Sequence, residues 1–352
     1  MNTDVKKIPA APAKERIYLY DNVKCLAIIL VVVGHAINYL TDFDGFTLEK
    51  ALYVMIYSFH MPLFIFVSGL FLRPMDAETK FPKYKVLAYV LIGVVLRMIT
   101  SVVRIFTGLP PVYATFDMYD TYTWFMWAMA AFIALTWLFR RFDKRFVMLF
   151  ALLIGVMAGF DRYLGDEFAL MRTAVFFPVF LLGYFLDPME LYRFLNRKKF
   201  RIISVVFLAV CLAGFLFLLF FHRDFLFSLR PIFTGRNRFT VLGDRYLLGP
   251  FYRIFAYLLS IAISLALICL MPNRKFGYLT AMGAKTLQIY FWHRCILFIF
   301  EETHLYEHIA QLTGNLIATV IYLLLAVGLT FLCSVPLLSF PTKQLLKIAK
   351  KT

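Results

Sequence analysis

Apolar residues in this chain fall into long blocks separated by short charged loops. The blocks lie at 22–40, 51–72, 86–107, 121–139, 147–160, 170–186, 201–221, 251–271, 281–300 and 313–335. Most approach the roughly 20 residues that a helix needs to cross a hydrocarbon layer about 30 Å thick. The fifth and sixth are short, and are expected to be tilted or kinked. The pattern predicts an all-α fold: a polytopic membrane bundle of about ten transmembrane helices with both termini cytoplasmic. No soluble domain is expected. Residues 1–15 read as a cytoplasmic tail, 16–341 as the membrane domain and 342–352 as a basic cytoplasmic tail.

Loop charge supports that topology. With the amino terminus inside, the inner loops hold Arg73/Lys80/Lys83/Lys85, Arg140/Arg141/Lys144/Arg145, Arg193/Arg197/Lys198/Lys199/Arg201 and Arg274/Lys275. The outer loops are acidic or neutral, as the excess of Lys and Arg on cytoplasmic loops requires. The loop 222–250 is the exception, with Arg223, Arg230, Arg236, Arg238 and Arg245 on the outer side. It reads either as an extracytoplasmic anion site or as a solvated loop against lipid headgroups. The first block follows Lys6, Lys7, Lys14 and Arg16 with no cleavage site after it, so it is expected to stay as a span.

Composition then narrows the class. The chain is 62% hydrophobic, more than a soluble domain of 352 residues needs. The formal net charge of +16 is assigned to topogenic positions facing the lipid bilayer, so no nucleic-acid partner is expected. All five cysteines lie in apolar blocks without metal-binding or disulfide spacing, and read as small core residues. Oligomeric state has no signature.

Against this background a few polar residues stand out. His35 lies deep in the first block, where an ionisable group is costly and marks a functional site by default. Lys24 precedes it by eleven residues, about three helical turns or 16 Å of rise, which places both on one face. Asp21 falls near the same stripe. The second block holds His60 and Pro62, and the ninth holds Gln288, His293 and Arg294. Counted from the block ends, the three histidines sit at matching depths of roughly 8–14 Å. They converge if their helices are neighbours. A three-histidine metal site is not expected, because none of them has the spacing that would favour one and carboxylate ligands are missing at that depth. Proton transfer by His35 fits better: a neutral imidazole takes a proton from an attacking hydroxyl. Arg97, Arg104, Arg172 and Arg253 also lie in apolar blocks with few acidic residues to pair with, which points to an anionic ligand within the bundle or to bonding with carbonyls.

The segment Arg16–His35, in which ten residues separate the basic Lys24 from His35, resembles the first-span signature of the membrane acyltransferase-3 family. Phe59–Gly69 resembles the fucose 4-O-acetylase-like branch. Tyr122-Thr-Trp124-Phe125 and Ile289-Tyr290-Phe-Trp-His293 are similar to later family motifs. The resemblance covers essentially Arg16 to Pro341. It implies a ten-helix O-acyltransferase that takes a short acyl group, usually acetyl, from cytoplasmic acyl-CoA. The acceptor would be a hydroxyl of a sugar, polysaccharide or glycolipid at the cell membrane. Acyl-CoA is then a co-substrate, and no bound cofactor or metal is expected. The family's basic residue and essential histidine map to Lys24 and His35. In this reading Lys24, Arg73, Lys83 and Lys85 meet the CoA phosphates, although the family's Arg-x-x-Arg element appears here only as Lys83-Tyr-Lys85 near Arg73. His35 acts as base or transient acyl carrier, with Lys24 and Asp21 beside it in the catalytic set. His60, Trp124, Arg172, Gln288 and His293 line the substrate site. The rival class is a secondary transporter or flippase that uses buried His and Arg for protons and an anionic substrate, but no internal repeat between halves is visible.

Overall fold

The computed structural model describes residues 16–350 apart from 42, 44, 46, 110, 112–121 and 166. The tail 1–15, most of the loop 108–120 and the first residue of the block 121–139 therefore lie outside the described residues.

Among the described residues all extended elements are helical. In order they are α1 (Tyr18–Leu40), α2 (Thr47–Tyr57), α3 (His60–Leu70), α4 (Lys83–Phe106), α5 (Trp124–Leu138), α6 (Lys144–Met157), α7 (Leu170–Tyr184), α8 (Pro188–Leu195) and α9 (Lys198–Phe221). There follow α10 (Arg223–Ser228), α11 (Arg230–Phe233), α12 (Gly249–Leu270), α13 (Tyr278–Gly283), α14 (Thr286–Glu302), α15 (Leu305–Thr313), α16 (Asn315–Cys333) and α17 (Thr342–Ile348). The fold is all-α, as the apolar periodicity predicts.

Among the described residues six stretches are long and apolar enough to cross a membrane, and the bent pair α7–α8 makes a seventh if counted as one span. The chain is a polytopic membrane protein. The blocks expected at 121–139, 147–160 and 281–300 form helices of 15, 14 and 17 residues. Each is shorter than the roughly 20 residues of a perpendicular crossing.

Local chemistry sets several boundaries. The Asp143 carboxylate accepts from the amides of Arg145 and Phe146 and starts α6. Asp187 does the same for Met189 and Glu190, with Pro188 in the first turn, and the chain bends by 82° there. Such caps contribute about 1 kcal/mol each. The block expected as one span at 51–72 is two helices, broken at Ser58–Phe59. Pro62 has no amide hydrogen to offer the Ser58 carbonyl four residues back, so the helix restarts at His60. The break places His60 in the first turn of α3.

At the centre is α1, with α2, α3, α12, α13, α14 and α16 packed around it. By contrast α9 presents Ile202, Val206, Val210, Phe217 and Phe220 outward, and Ser204 is its one buried residue. That face suits lipid. The tightest crossing joins α3 to α7. A Cβ on Gly69 would stand 2.1 Å from the Phe180 carbonyl oxygen, and one on Gly183 would stand 2.0 Å from that of Phe66. Only hydrogen fits between these backbones, the usual device of close helix contact in lipid. Further along, Pro62 meets Val175 and Phe176 across a small cavity. The two helices therefore run side by side in the same direction, with His60 and Arg172 at the same end. Gly155 in α6 and Gly159 in the short turn that follows it are also close contacts, against Tyr257 and Phe239.

The crossing gives a direct expectation. Gly69→Ala or Gly183→Ala sets a methyl against backbone that cannot yield cheaply, and should cost at least about 1–3 kcal/mol. The Gly328 position in α16 has open space around it, so Gly328→Ala should be neutral or stabilising by up to about 1 kcal/mol through helix propensity. Melting temperatures of the three variants in detergent check this. Equal losses at all three would reject the crossing.

Candidate active site

The site is built along α1 at two levels. At the lower level the Asp21 carboxylate pairs with Lys24 at 2.8 Å and with Arg16 at 2.7 Å. Asp21 lies three residues from Lys24, so the two are neighbours on the helix surface. The ground beneath them is rigid. Asn22 donates to the carbonyls of Pro272 and Arg274, each at 2.9 Å, and accepts from Thr280 Oγ1 at 2.7 Å. Gly283 approaches the Asp21 backbone so closely that a Cβ would overlap its carbonyl oxygen. Lys24 Nζ lies 5.6 Å from the Phe71 ring centroid.

Lys24 and Lys85 rim a cavity of about 210 Å³ whose inner wall is apolar, with Phe64, Phe125, Met129 and Phe180, and whose inner limit includes Tyr290. Arg73 lies outside the rim, exposed, close enough to act electrostatically on Lys85. Lys83 is also exposed, and its ammonium rests 5.1 Å from the ring of its own neighbour Tyr84. Of the four predicted phosphate contacts, then, Lys24 and Lys85 line the cavity itself.

The upper level holds the imidazoles. The His35 and His293 ring centroids are 5.3 Å apart, and His60 lies near enough to act on His35. Three histidines from α1, α3 and α14 are thus brought together, as their matching depth predicts. Their states differ. His60 Nδ1 lies 2.8 Å from the Ile56 carbonyl, and His293 Nδ1 lies 2.8 Å from that of Tyr290 and 3.2 Å from that of Ile289. A carbonyl only accepts, so both rings carry their proton on Nδ1 and leave a lone pair on Nε2. His293 Nε2 is buried with no hydrogen-bond partner. Among the described residues His35 has no hydrogen-bond partner, and as a residue it is less completely covered than His60 and His293, which are 3% and 0% exposed.

Arginines and aromatics close the cluster. Arg172 and Arg294 both act electrostatically on His35. The Arg172 guanidinium lies 4.8 Å from the Trp124 ring, which stacks on Phe176 at 5.9 Å. Arg294 pairs with Glu301. The Tyr290 hydroxyl donates to the Tyr122 carbonyl, and its ring is 5.6 Å from His293. Tyr290 therefore stands between the cavity and the imidazoles. Tyr57 meets His60 edge-on at 4.6 Å.

Two predicted site residues are placed elsewhere. Gln288 Nε2 donates to the carbonyls of Cys333 and Val335, both at 2.7 Å. Its amide hydrogens tie α14 to the end of α16 and do not face the imidazoles. Asp21 lies fourteen residues below His35, about 21 Å of rise. It orients Lys24 and does not reach His35. The buried arginines differ: Arg294 has its carboxylate, whereas Arg253 donates from Nη1 to the Ile232 carbonyl at 3.1 Å and, among the described residues, its Nε and Nη2 are buried without a partner. Tyr290 and Tyr57 were missed. Each lies three residues before a histidine in the sequence, Tyr290 on the same helix as His293 and Tyr57 at the end of the helix before His60, which is the one signal that points to them. Among the described residues no group of histidine, cysteine and carboxylate side chains is arranged to hold a metal ion.

The acyltransferase-3 family model, described as an acyltransferase domain, matches residues 17–337. No curated protein and no solved structure matches the chain. The family match runs from the start of α1 to beyond the end of α16, so it contains both levels of the site. The chain belongs to the acyltransferase-3 family of membrane proteins.

Proposed function

We propose that this protein is an O-acyltransferase of the cell membrane that moves an acetyl or other short acyl group from cytoplasmic acyl-CoA to a hydroxyl of an exported or lipid-linked sugar. One observation carries the reading. A single helix bears a lysine at the mouth of an apolar-walled cavity and, eleven residues on, an unbonded imidazole flanked by two others. In this reading α5, α6 and α14 complete a ten-span path with both termini in the cytoplasm. The segment Phe59–Gly69 supports a place near the fucose 4-O-acetylase-like branch.

The chemistry follows from the placement. The CoA phosphates bind at Lys24 and Lys85, with Arg73 and Lys83 adding positive charge outside. The acyl-bearing arm follows the walls formed by Phe64 and Phe125 toward Tyr290. Displacement of Tyr290 opens the way to His35. The acceptor hydroxyl gives its proton to His35 as its oxygen attacks the thioester carbonyl carbon. The carbon–sulfur bond then breaks, and the imidazolium returns the proton to the leaving thiolate. Protons and charge balance without a cofactor. Arg172 and Arg294 supply positive charge close to the carbonyl oxygen as it becomes anionic. The lone pairs on His60 and His293 Nε2 accept hydrogen bonds from acceptor hydroxyls.

Transfer of labelled acetyl from acetyl-CoA, measured in membranes, tests the base. His35→Ala should reduce transfer by about 10²–10⁴-fold; an unchanged rate would remove His35 from the mechanism. Lys24→Met and Lys85→Met should each raise KM for acetyl-CoA roughly tenfold, with a smaller change in kcat. Asp21→Asn should act in the same direction, more weakly, by freeing Lys24. A KM that stays constant across all three would place CoA elsewhere.

A further inference from the structure

Of the five arginines in the loop 222–250, Arg230 reaches the site. Its Nη2 donates to Asn38 Oδ1 at 3.0 Å, and Asn38 lies three residues above His35 on α1, about 4.5 Å of rise. Its guanidinium carbon sits 4.4 Å from the Tyr53 ring centroid. Tyr53 stacks on Tyr57 at 3.8 Å, and Tyr57 meets His60 at 4.6 Å. A ladder of groups from α11 and α2 therefore leads from Arg230 down to the imidazoles, on the side away from Lys24 and Lys85. Arg230 is half-buried, and among the described residues no carboxylate pairs with it.

A half-buried guanidinium always carries its charge and has five N–H donors in a planar fork. Asn38 takes one of them and supplies no negative charge. The stack on Tyr53 fixes the plane of the fork and offsets part of its lost hydration. What this arrangement lacks is an anion, and planar recognition of carboxylate or phosphate is what the fork does best.

We propose that Arg230, with Asn38, Tyr53 and Tyr57, forms an acceptor subsite for a sugar that carries an anionic group, a carboxylate or a phosphate, beside the hydroxyl presented to His35. The subsite selects the acceptor by charge, and the Tyr53–Tyr57 stack holds the guanidinium in place. The inference rests on the imidazole cluster being the acceptor end of the transfer, yet its test does not depend on turnover.

The test is thermal stabilisation of the purified protein in detergent by three probes at matched ionic strength: methyl glucuronide, glucose 1-phosphate and methyl glucoside. The wild type should be stabilised by an anionic probe at concentrations at least about tenfold lower than by methyl glucoside. Whichever of the two anionic probes acts more strongly identifies the group. Arg230→Gln should lose the preference, and Arg230→Lys should keep part of it. Equal stabilisation by charged and neutral probes, no stabilisation by any, or an undiminished preference in Arg230→Gln would overturn the proposal. A retained preference together with full acetyl transfer by His35→Ala would instead leave the subsite standing and sink the catalytic reading.

Discussion

Charged and polar groups held inside an apolar bundle dominate this molecule. Each costs several kcal/mol unless it is paired, bonded to backbone or wetted. The chain meets that demand in a graded way along α1. At one end Asp21 holds Lys24 and Arg16. At the middle level His60 places its Nδ1 proton on a carbonyl of the preceding helix α2, and His293 places its own on a carbonyl of α14. Arg294 takes Glu301 as its counter-ion. His35 alone of the three imidazoles is left unbonded and partly uncovered. The surroundings are ordered around it while it has no hydrogen-bond partner among the described residues, which is the condition for a group that must bind and release a proton.

The helix packing serves this arrangement. Pro62 breaks the second apolar block so that His60 falls in a first turn and its ring bonds the Ile56 carbonyl across the break. The mutual glycine contact of α3 with α7 holds the two backbones together and sets His60 and Arg172 at one end. Helices α2, α3, α12, α13, α14 and α16 then surround α1, which carries both levels of the site on one face. A shift of either contact by an ångström would part the imidazoles, and catalytic geometry tolerates little of that.

Between the two levels stands Tyr290. Its hydroxyl bonds the Tyr122 carbonyl while its own carbonyl accepts from His293. One residue thus bounds the cavity and orients an imidazole. In a transferase that must keep water from an activated acyl group, a closed partition of this kind is useful until both substrates are present. Arg230 and the Tyr53–Tyr57 stack occupy the opposite side of the imidazoles, so the two approaches are chemically distinct: lysines over an apolar channel on one side, an arginine over aromatic rings on the other.

The sequence by itself determined the all-α membrane class, because apolar runs of helical length separated by charged loops admit little else. It also determined that Lys24 and His35 share a face, since eleven residues close three turns, and that His35, His60 and His293 stand at similar depth. These are properties of single helices, fixed by rise and twist per residue. Which helices are neighbours was decided only in three dimensions. So the pairing of His35 with His293, the reach of Arg230 to Asn38 and the partition at Tyr290 were not legible, because they join residues 168 to 258 positions apart through side-chain packing. The same limit applies to two other polar residues. Gln288 reads as a polar residue at depth, and only the fold shows both its amide hydrogens spent on the end of α16. Asp21 reads as part of a catalytic stripe, and only its short bonds to Lys24 and Arg16 reveal an orienting carboxylate far below the imidazoles. Sequence spacing fixes which face a group is on. Tertiary packing fixes what that face meets, and chemistry depends on the second.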